Sequence, residues 1–286
     1  MRTVTFLSVL HGAAHELGLD PTTGDFSTTL AARLAGHCNL RLPEVWEDAF
    51  WPELMLTEER AYRDAWAIGD TYGLGDQVYY EDASAYYTSL QDANTGNQPD
   101  TATTFWEEVE EFDRYILLDQ TGKTPLGEVK QISTKNPKTN RRYPGYIGFD
   151  LSDNGIQVST RADVTVWVNF RRTVNLFTTT AWDSSVAYAV DDLVYVPSTG
   201  ECYKSILAGT NQDPVTQTTY WTKVDFPKFL ARFATLAIAA EELRSGEGQD
   251  SKAERKDAYA DREIGRLNDR IFGQQRQATT AEAAIG

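Results

Sequence analysis

Apolar residues recur at helical spacing at both ends of the chain. Val4, Leu7, Leu10, Ala14 and Leu17 form one stripe, and Gly18 fits a helix C-cap. Asp25 or Ser27 can cap a second helix with Leu30, Leu34 and Cys38 along one side. Pro43 and Pro52 mark kinks or new helix starts, and Trp46, Phe50 and Trp51 read as core. Near the other end, Phe226 to Arg244 predicts a helix through Phe229, Phe233, Leu236 and Leu243, broken by Ser245-Gly-Glu-Gly. A longer amphipathic stretch runs from Ser251 to about Gln277, and residues 278–286 are expected to fray. Its stripe, Ala253, Ala260, Ile264, Leu267 and Ile271, is heptad-like but thin. A helix so lightly apolar is marginal alone and needs a partner surface. Between the ends, YILL, GEVKQIS, YIGFDLS, GIQVST and DVTVWVNFRR read as strands, separated by turns such as Asp153-Asn154-Gly155.

Two segments repeat one another. Six residues after Trp66 and Trp182 come Tyr72 and Tyr188, and four later Asp76 and Asp192. Both copies then read Asp-x-Val-Tyr, ending at Tyr79 and Tyr195, with Tyr87 and Tyr203 eight further on. An Asn-Gln(-Asp)-Pro turn follows, at Pro99 and Pro214. Phe105-Trp106 and Tyr220-Trp221 close the copies. The offset is 116 up to the tyrosines and 115 at the closing tryptophan. Each unit predicts two or three short strands, with large aromatics supplying the core of a domain too small to build one otherwise.

Composition narrows the function classes. The 286 residues suggest about two domains. The net charge of -15 argues against a protein that coats nucleic acid through a basic surface, though not against one that lets DNA slide past. Residues 66–113 carry 11 acidic side chains and no basic one, whereas 114–181 carry 10 basic and 5 acidic. Acid at that density favours exposure and opposes self-association of the segment. Arg141-Arg142 and Arg171-Arg172 read as solvated strand ends. Apolar runs are too short to span a membrane, and the apolar start is too short for a signal peptide. Cys38 and Cys202 cannot make a disulfide framework, which favours a reducing compartment. His11 and His15 share a helix face, but HGAAH lacks the glutamate of a zinc hydrolase. No nucleophile elbow, phosphate loop or metal cluster is present, so no enzyme, catalytic residue, metal or cofactor is expected.

The pattern Trp, Tyr-x-x-x-Asp-x-Val-Tyr, Tyr, Pro, Trp over 66–109 and 182–224 resembles the small carbohydrate-binding module of many chitinases and cellulases. That family grips sugar with exposed tryptophans four or five residues after the later tyrosine, where this chain has Gln91-Asp92 and Leu207-Ala208. The resemblance makes Trp66, Tyr72, Tyr79, Trp106, Trp182, Tyr188, Tyr195 and Trp221 candidate carbohydrate-binding residues. Core or hairpin packing is the alternative role for them.

The remaining segments are similar in order and texture to head-to-tail adaptor (connector) proteins of tailed bacteriophages. The likeness runs through NLRLPEVWEDAFWPELMLTEERAYR, the strands ending in DVTVWVNFRR, and the polar helix ERKDAYADREIGRLNDRIFGQQRQ. It implies an α+β fold with a helical bundle formed by the N- and C-terminal segments, a central antiparallel β region and two small all-β inserted modules. The expected domains are 1–65 with 226–286 (helical adaptor core), 66–113 (first insertion), 114–181 (central β region) and 182–225 (second insertion). Such proteins form a ring, usually of twelve copies, that docks on the portal and extends the DNA channel toward the tail. The implied partners are further copies of the chain, the portal, the next tail or neck protein, double-stranded DNA passing without sequence recognition and, through the modules, a glycan. The implied location is the head-to-tail interface of the virion, after assembly in the host bacterial cytoplasm. Ile264, Leu267, Arg270 and Ile271 are the candidate portal-docking residues. Two alternatives remain: a glycan-binding virion or surface adhesin that gains avidity from paired modules, and an enzyme targeted to a polysaccharide by them.

Overall fold

The computed structural model describes residues 1–22, 26–110, 113–153, 155–159, 164–245 and 248–283, with the backbone alone over 272–283. The fold is α+β, with four α-helices and several small antiparallel sheets among the described residues. The chain divides into two units. A helical unit comprises Met1–Glu53 and Val174–Gly286, and a sheet unit comprises Leu54–Thr173.

In the helical unit, α1 (Phe6–Glu16) starts where the Thr5 hydroxyl accepts from Ser8 N, and Gly18 follows its end in the left-handed region at φ 84°. Ser27 caps α2 (Thr28–Asp48), its hydroxyl accepting from Leu30 N at 3.1 Å; Asp25 lies outside the described residues. The helix continues through Pro43 to Asp48. Pro43 has no N–H for the Asn39 carbonyl. The Asn39 side chain instead pairs with both backbone groups of Phe177, accepting at 2.9 Å and donating at 2.8 Å. Phe177 is thereby held against Phe6, ring centroids 4.6 Å apart, and against Phe226 at 5.2 Å.

The centre of this unit is α3 (Ala231–Ser245), which follows a 3-10 turn at Lys228–Leu230. Every residue from Phe233 to Ala240 is buried. A helix apolar on all sides must be covered on all sides, and α3 packs against α1, α2 and α4 (Asp250–Ala283). Approach to α1 is close at Gly12, where a Cβ would lie 3.0 Å from the Thr235 hydroxyl. On the opposite side α4 buries Ala253, Ala260 and Leu267, while Ile264 and Ile271 are half-buried. The partner surface that the thin stripe requires is therefore α3 of the same chain. The helix also passes Gln277 and reaches Ala283, where fraying was expected; 284–286 lie outside the described residues.

In the sheet unit, four antiparallel strands lie in the order Tyr146–Ile147, Leu126–Ser133, Thr165–Arg172 and Met55–Ala61. A second sheet joins Phe149–Ser152, Gly155–Val158 and Tyr115–Leu117. Their shared core holds Ile116, Ile132, Ile156, Val166, Val168 and Phe170. Met55–Ala61 belongs to the sheet rather than to the helical segment 1–65. Within it, Arg60 is fully buried. There its guanidinium meets Glu58 at 2.7 Å and the Thr124 carbonyl, and lies 5.5 Å from the Phe170 ring centroid. Arg171, read as a solvated strand end, is likewise buried and ion-paired with Glu128. Arg141 and Arg142 are exposed.

The two repeats have the same strand order. Gln77–Tyr80, Ala85–Ser89 and Trp106–Val109 correspond to Leu193–Val196, Glu201–Ser205 and Trp221–Val224. The hydrogen bonds repeat too. Trp106 donates to Asn97 O at 2.8 Å and Trp221 to Gln212 O at 2.9 Å. Tyr72 lies edge-on to Trp106 and Tyr188 to Trp221, both at 5.2 Å. Asp76 accepts from Gly73 N, and Asp192 from Ala189 N.

Leu267 of α4 is buried at 3% exposure, on the floor of a cleft it shares with Phe229. Leu267→Ala should therefore cost about 2–5 kcal/mol in urea unfolding of the purified chain. A loss below about 0.5 kcal/mol would place Leu267 on the surface instead.

Candidate functional site

The eight aromatics considered for sugar stacking are core residues. Tyr79, Trp106, Tyr195 and Trp221 are buried. Trp66 and Tyr72 pack half-buried against the core of the first module, and Trp182 and Tyr188 against that of the second. The physical reason is size: a module this small uses its largest rings to exclude water from its own centre. Outside that core, Leu74 and Leu90 are exposed in the first module, and Val190 and Ile206 in the second, at the same offset of 116. Backbone pairing sets each couple side by side, Gly75 N to Ser89 O at 2.8 Å and Asp191 N to Ser205 O at 2.9 Å.

Charged side chains fix α4 to the rest of the helical unit. Arg41 of α2 meets Glu241 of α3 at 2.7 Å and Asp257 of α4 at 3.2 Å, and Arg244 bridges the same two acids. Glu16 of α1 joins Arg232 of α3 at 2.6 Å and Lys256 of α4. Burial pushes the Glu16 carboxyl up, but the hydrogen bonds and charges of Lys256 and Arg232 outweigh it and hold it below its ordinary value. Burial likewise opposes the lowering at Glu241, where Arg41 and Arg244 prevail. Deeper in, Glu242 is buried between Arg33 and His37, with His37 Nε2 at 3.1 Å.

A cleft of 470 Å³ opens beside this clamp. Its apolar floor is Phe229 and Leu267, and its rim is Arg2, Lys228, Arg232, Arg266 and Arg270, with Glu53 and Glu263 the acids. The chain start reaches the cleft because Thr3–Val4 pairs with Phe226–Pro227 and Lys228 N donates to Arg2 O at 3.0 Å. Arg270 meets Glu53 at 3.1 Å, and Arg266 pairs with Glu263. Five cations against Glu53, Glu263 and the Glu16 partner of Arg232 leave this a local basic site in a chain of net charge -15. Of the four docking candidates, Leu267 is floor, Arg270 is rim, and Ile264 and Ile271 are half-buried. Sequence reasoning missed Arg2, Lys228, Arg232 and Arg266. The signal was there in part, because Lys228 and Arg232, like Arg266 and Arg270, are four apart on helical turns. Tyr259 was missed as well. It lies outside the apolar stripe, is exposed, and carries the Arg262 guanidinium 5.5 Å from its ring centroid.

His11 stands edge-on to Phe26 at 5.1 Å, and burial, then the neighbouring His15, lowers its pKa. Among the described residues no three His, Cys, Asp or Glu side chains gather to hold a metal ion, and no helix is long and apolar enough to cross a membrane. Both cysteines are free and buried. Burial and then Cys202 push the Cys38 thiol up to about 12, and burial raises Cys202 to about 11. No protein-family model matches the sequence, and no curated protein matches it.

Glu16 and Glu241 titrate below the unfolded value of about 4.3. Their stabilisation is complete above that value and lost as pH falls through the folded values. The melting temperature should therefore drop between about pH 5 and 3, and more shallowly in Glu16→Gln/Glu241→Gln. Parallel curves for the two proteins would show that the clamp carries no stability.

Proposed function

We propose that the chain is a structural virion protein, the subunit of a head-to-tail adaptor ring that docks on the portal of a tailed bacteriophage and extends the DNA channel toward the tail. In this reading α1 to α4 form a bundle made by both ends of the chain, and 66–113 and 182–225 are inserted modules. Further copies, the portal and the next tail or neck protein are its partners, and its place is the head-to-tail interface. Support comes from the order of elements: two helices, an antiparallel sheet, and two returning helices of which the last is long and polar. A net charge of -15 also opposes adhesion of a phosphodiester backbone, as passage of DNA without recognition requires.

The observation that carries the proposal is the division of labour on α4. Its apolar stripe is satisfied by α3, while its outer side presents Tyr259 with Arg262 over the ring. Tyrosine and arginine are the residue types that dominate protein interfaces, so this side, not the apolar stripe, meets the portal. The adhesin reading rested on eight aromatics, of which Trp66, Tyr72, Trp106, Trp182, Tyr188 and Trp221 pack in the module cores, Tyr79 packs in the core of the sheet unit, and Tyr195 is buried.

Negative-stain microscopy of the purified chain with portal should show a ring seated on the portal. Tyr259→Ala/Arg262→Ala should weaken that docking by roughly thirtyfold or more, given about 2 kcal/mol at an interface anchor, with the melting temperature little changed. Retention on chitin should not exceed that of an unrelated protein. A monomer that ignores the portal and is retained on chitin like a chitinase module would refute the proposal.

A further inference from the structure

The basic cleft of the helical unit has a complementary surface elsewhere in the same sequence. At the tip of the first module Leu74 is 65% exposed, with Leu90 beside it. Asp76 and Asp92 flank that tip, accepting from Gly73 N at 2.6 Å and Leu74 N at 2.9 Å. No Lys or Arg occurs between residues 66 and 113. The tip is thus an apolar knob flanked by two carboxylates. The cleft is an apolar floor, Phe229 and Leu267, under a rim of five cations, of which Arg232, Arg266 and Arg270 are paired with Glu16, Glu263 and Glu53. We propose that the knob of one copy seats in the cleft of the next, so that the partner of this cleft is a second copy of the chain.

The second module serves as an internal comparison. It has the same fold and the same exposed apolar couple, Val190 and Ile206. There, however, Ala208 replaces Asp92, and Lys204 pairs with Asp191 at 2.6 Å beside the tip. A knob bearing its own cation is a poor match for a basic rim, so the first module is the one that fits. The acidic modules repel one another, but each is attracted to the cleft, and two different patches in contact form a heterologous interface. Such an interface propagates head to tail and closes into a ring where its rotation allows. Only that closure rests on the adaptor reading; the contact itself rests on the charges and exposed side chains of this chain.

Sedimentation velocity of the full chain tests the contact without the portal, so that it and the portal-docking proposal can fail separately. The chain should associate in 50 mM NaCl and do so at least tenfold more weakly in 500 mM, as exposed charge pairs are screened. Leu74→Lys and Arg266→Glu/Arg270→Glu should each weaken association by tenfold or more. Combining all three substitutions should restore it, because the ammonium introduced at the knob then faces two carboxylates introduced at the rim. Val190→Lys, the matched change in the second module, should have no effect. Circular dichroism confirms that each variant is folded before it is compared. A chain that stays monomeric at both salt concentrations overturns the proposal, as does association indifferent to Leu74→Lys or equally sensitive to Val190→Lys. So does tight binding of a fluorescein-labelled DNA duplex that Arg266→Glu/Arg270→Glu abolishes, which would assign the cleft to phosphate.

Discussion

The helical unit depends on the covering of α3. From Phe233 to Ala240 every residue of this helix is buried. Each large apolar side chain buried there contributes about 1.5–3 kcal/mol relative to exposure, so α3 holds its neighbours as much as they hold it. Its alanines let α1 and α4 approach closely, and Gly12 removes the one Cβ that would meet Thr235. The ion pairs of Arg41, Arg244, Glu16 and their partners sit around this contact and fix which part of α4 meets which helix. Being largely buried, the pairs of Arg41 and of Lys256 with Glu16 add stability as well as orientation on a surface of small apolar residues that specifies register weakly.

Satisfying α4 internally changes what its other side is for. Had the stripe stayed uncovered, assembly would have been a matter of burying leucine and isoleucine on a partner. With Leu267 buried, what α4 offers beyond the floor of the cleft is its polar sides. They carry Tyr259 with Arg262, and the rim arginines 266 and 270. A chain that is strongly acidic overall but holds a compact basic cleft can attract its own acidic parts while repelling nucleic acid at longer range.

The repeat was the most legible feature of the sequence. Trp, Tyr and Asp at a fixed offset report identical local tasks: Trp106 and Trp221 close the core, Tyr72 and Tyr188 pack edge-on against them, and Asp76 and Asp192 cap the same turn. Those tasks are local, so local pattern reveals them. The same aromatics also invite a sugar-binding reading; four of them are buried and four half-buried. Met55–Ala61 fell inside the segment 1–65 that the resemblance assigned to the helical core, and nothing local marks it as a sheet strand. Its pairing depends on Thr165–Arg172, more than a hundred residues away. The cleft was illegible for a related reason: Arg2, Lys228 and Arg270 come together only through the short strand pairing at the chain start and the α3–α4 contact.

α4 is ordered by packing on α3 of its own chain, and the proposed docking falls to its outer side. Hydrogen–deuterium exchange of the free chain and of its complex with portal addresses this directly. Amides of residues 253–267 should already be protected in the free chain, to a degree close to those of α3, with further protection on docking centred on Tyr259 and Arg262. Rapid exchange throughout α4 in the free chain, slowed only when the portal is bound, would contradict the account and make the helix a segment that folds on assembly.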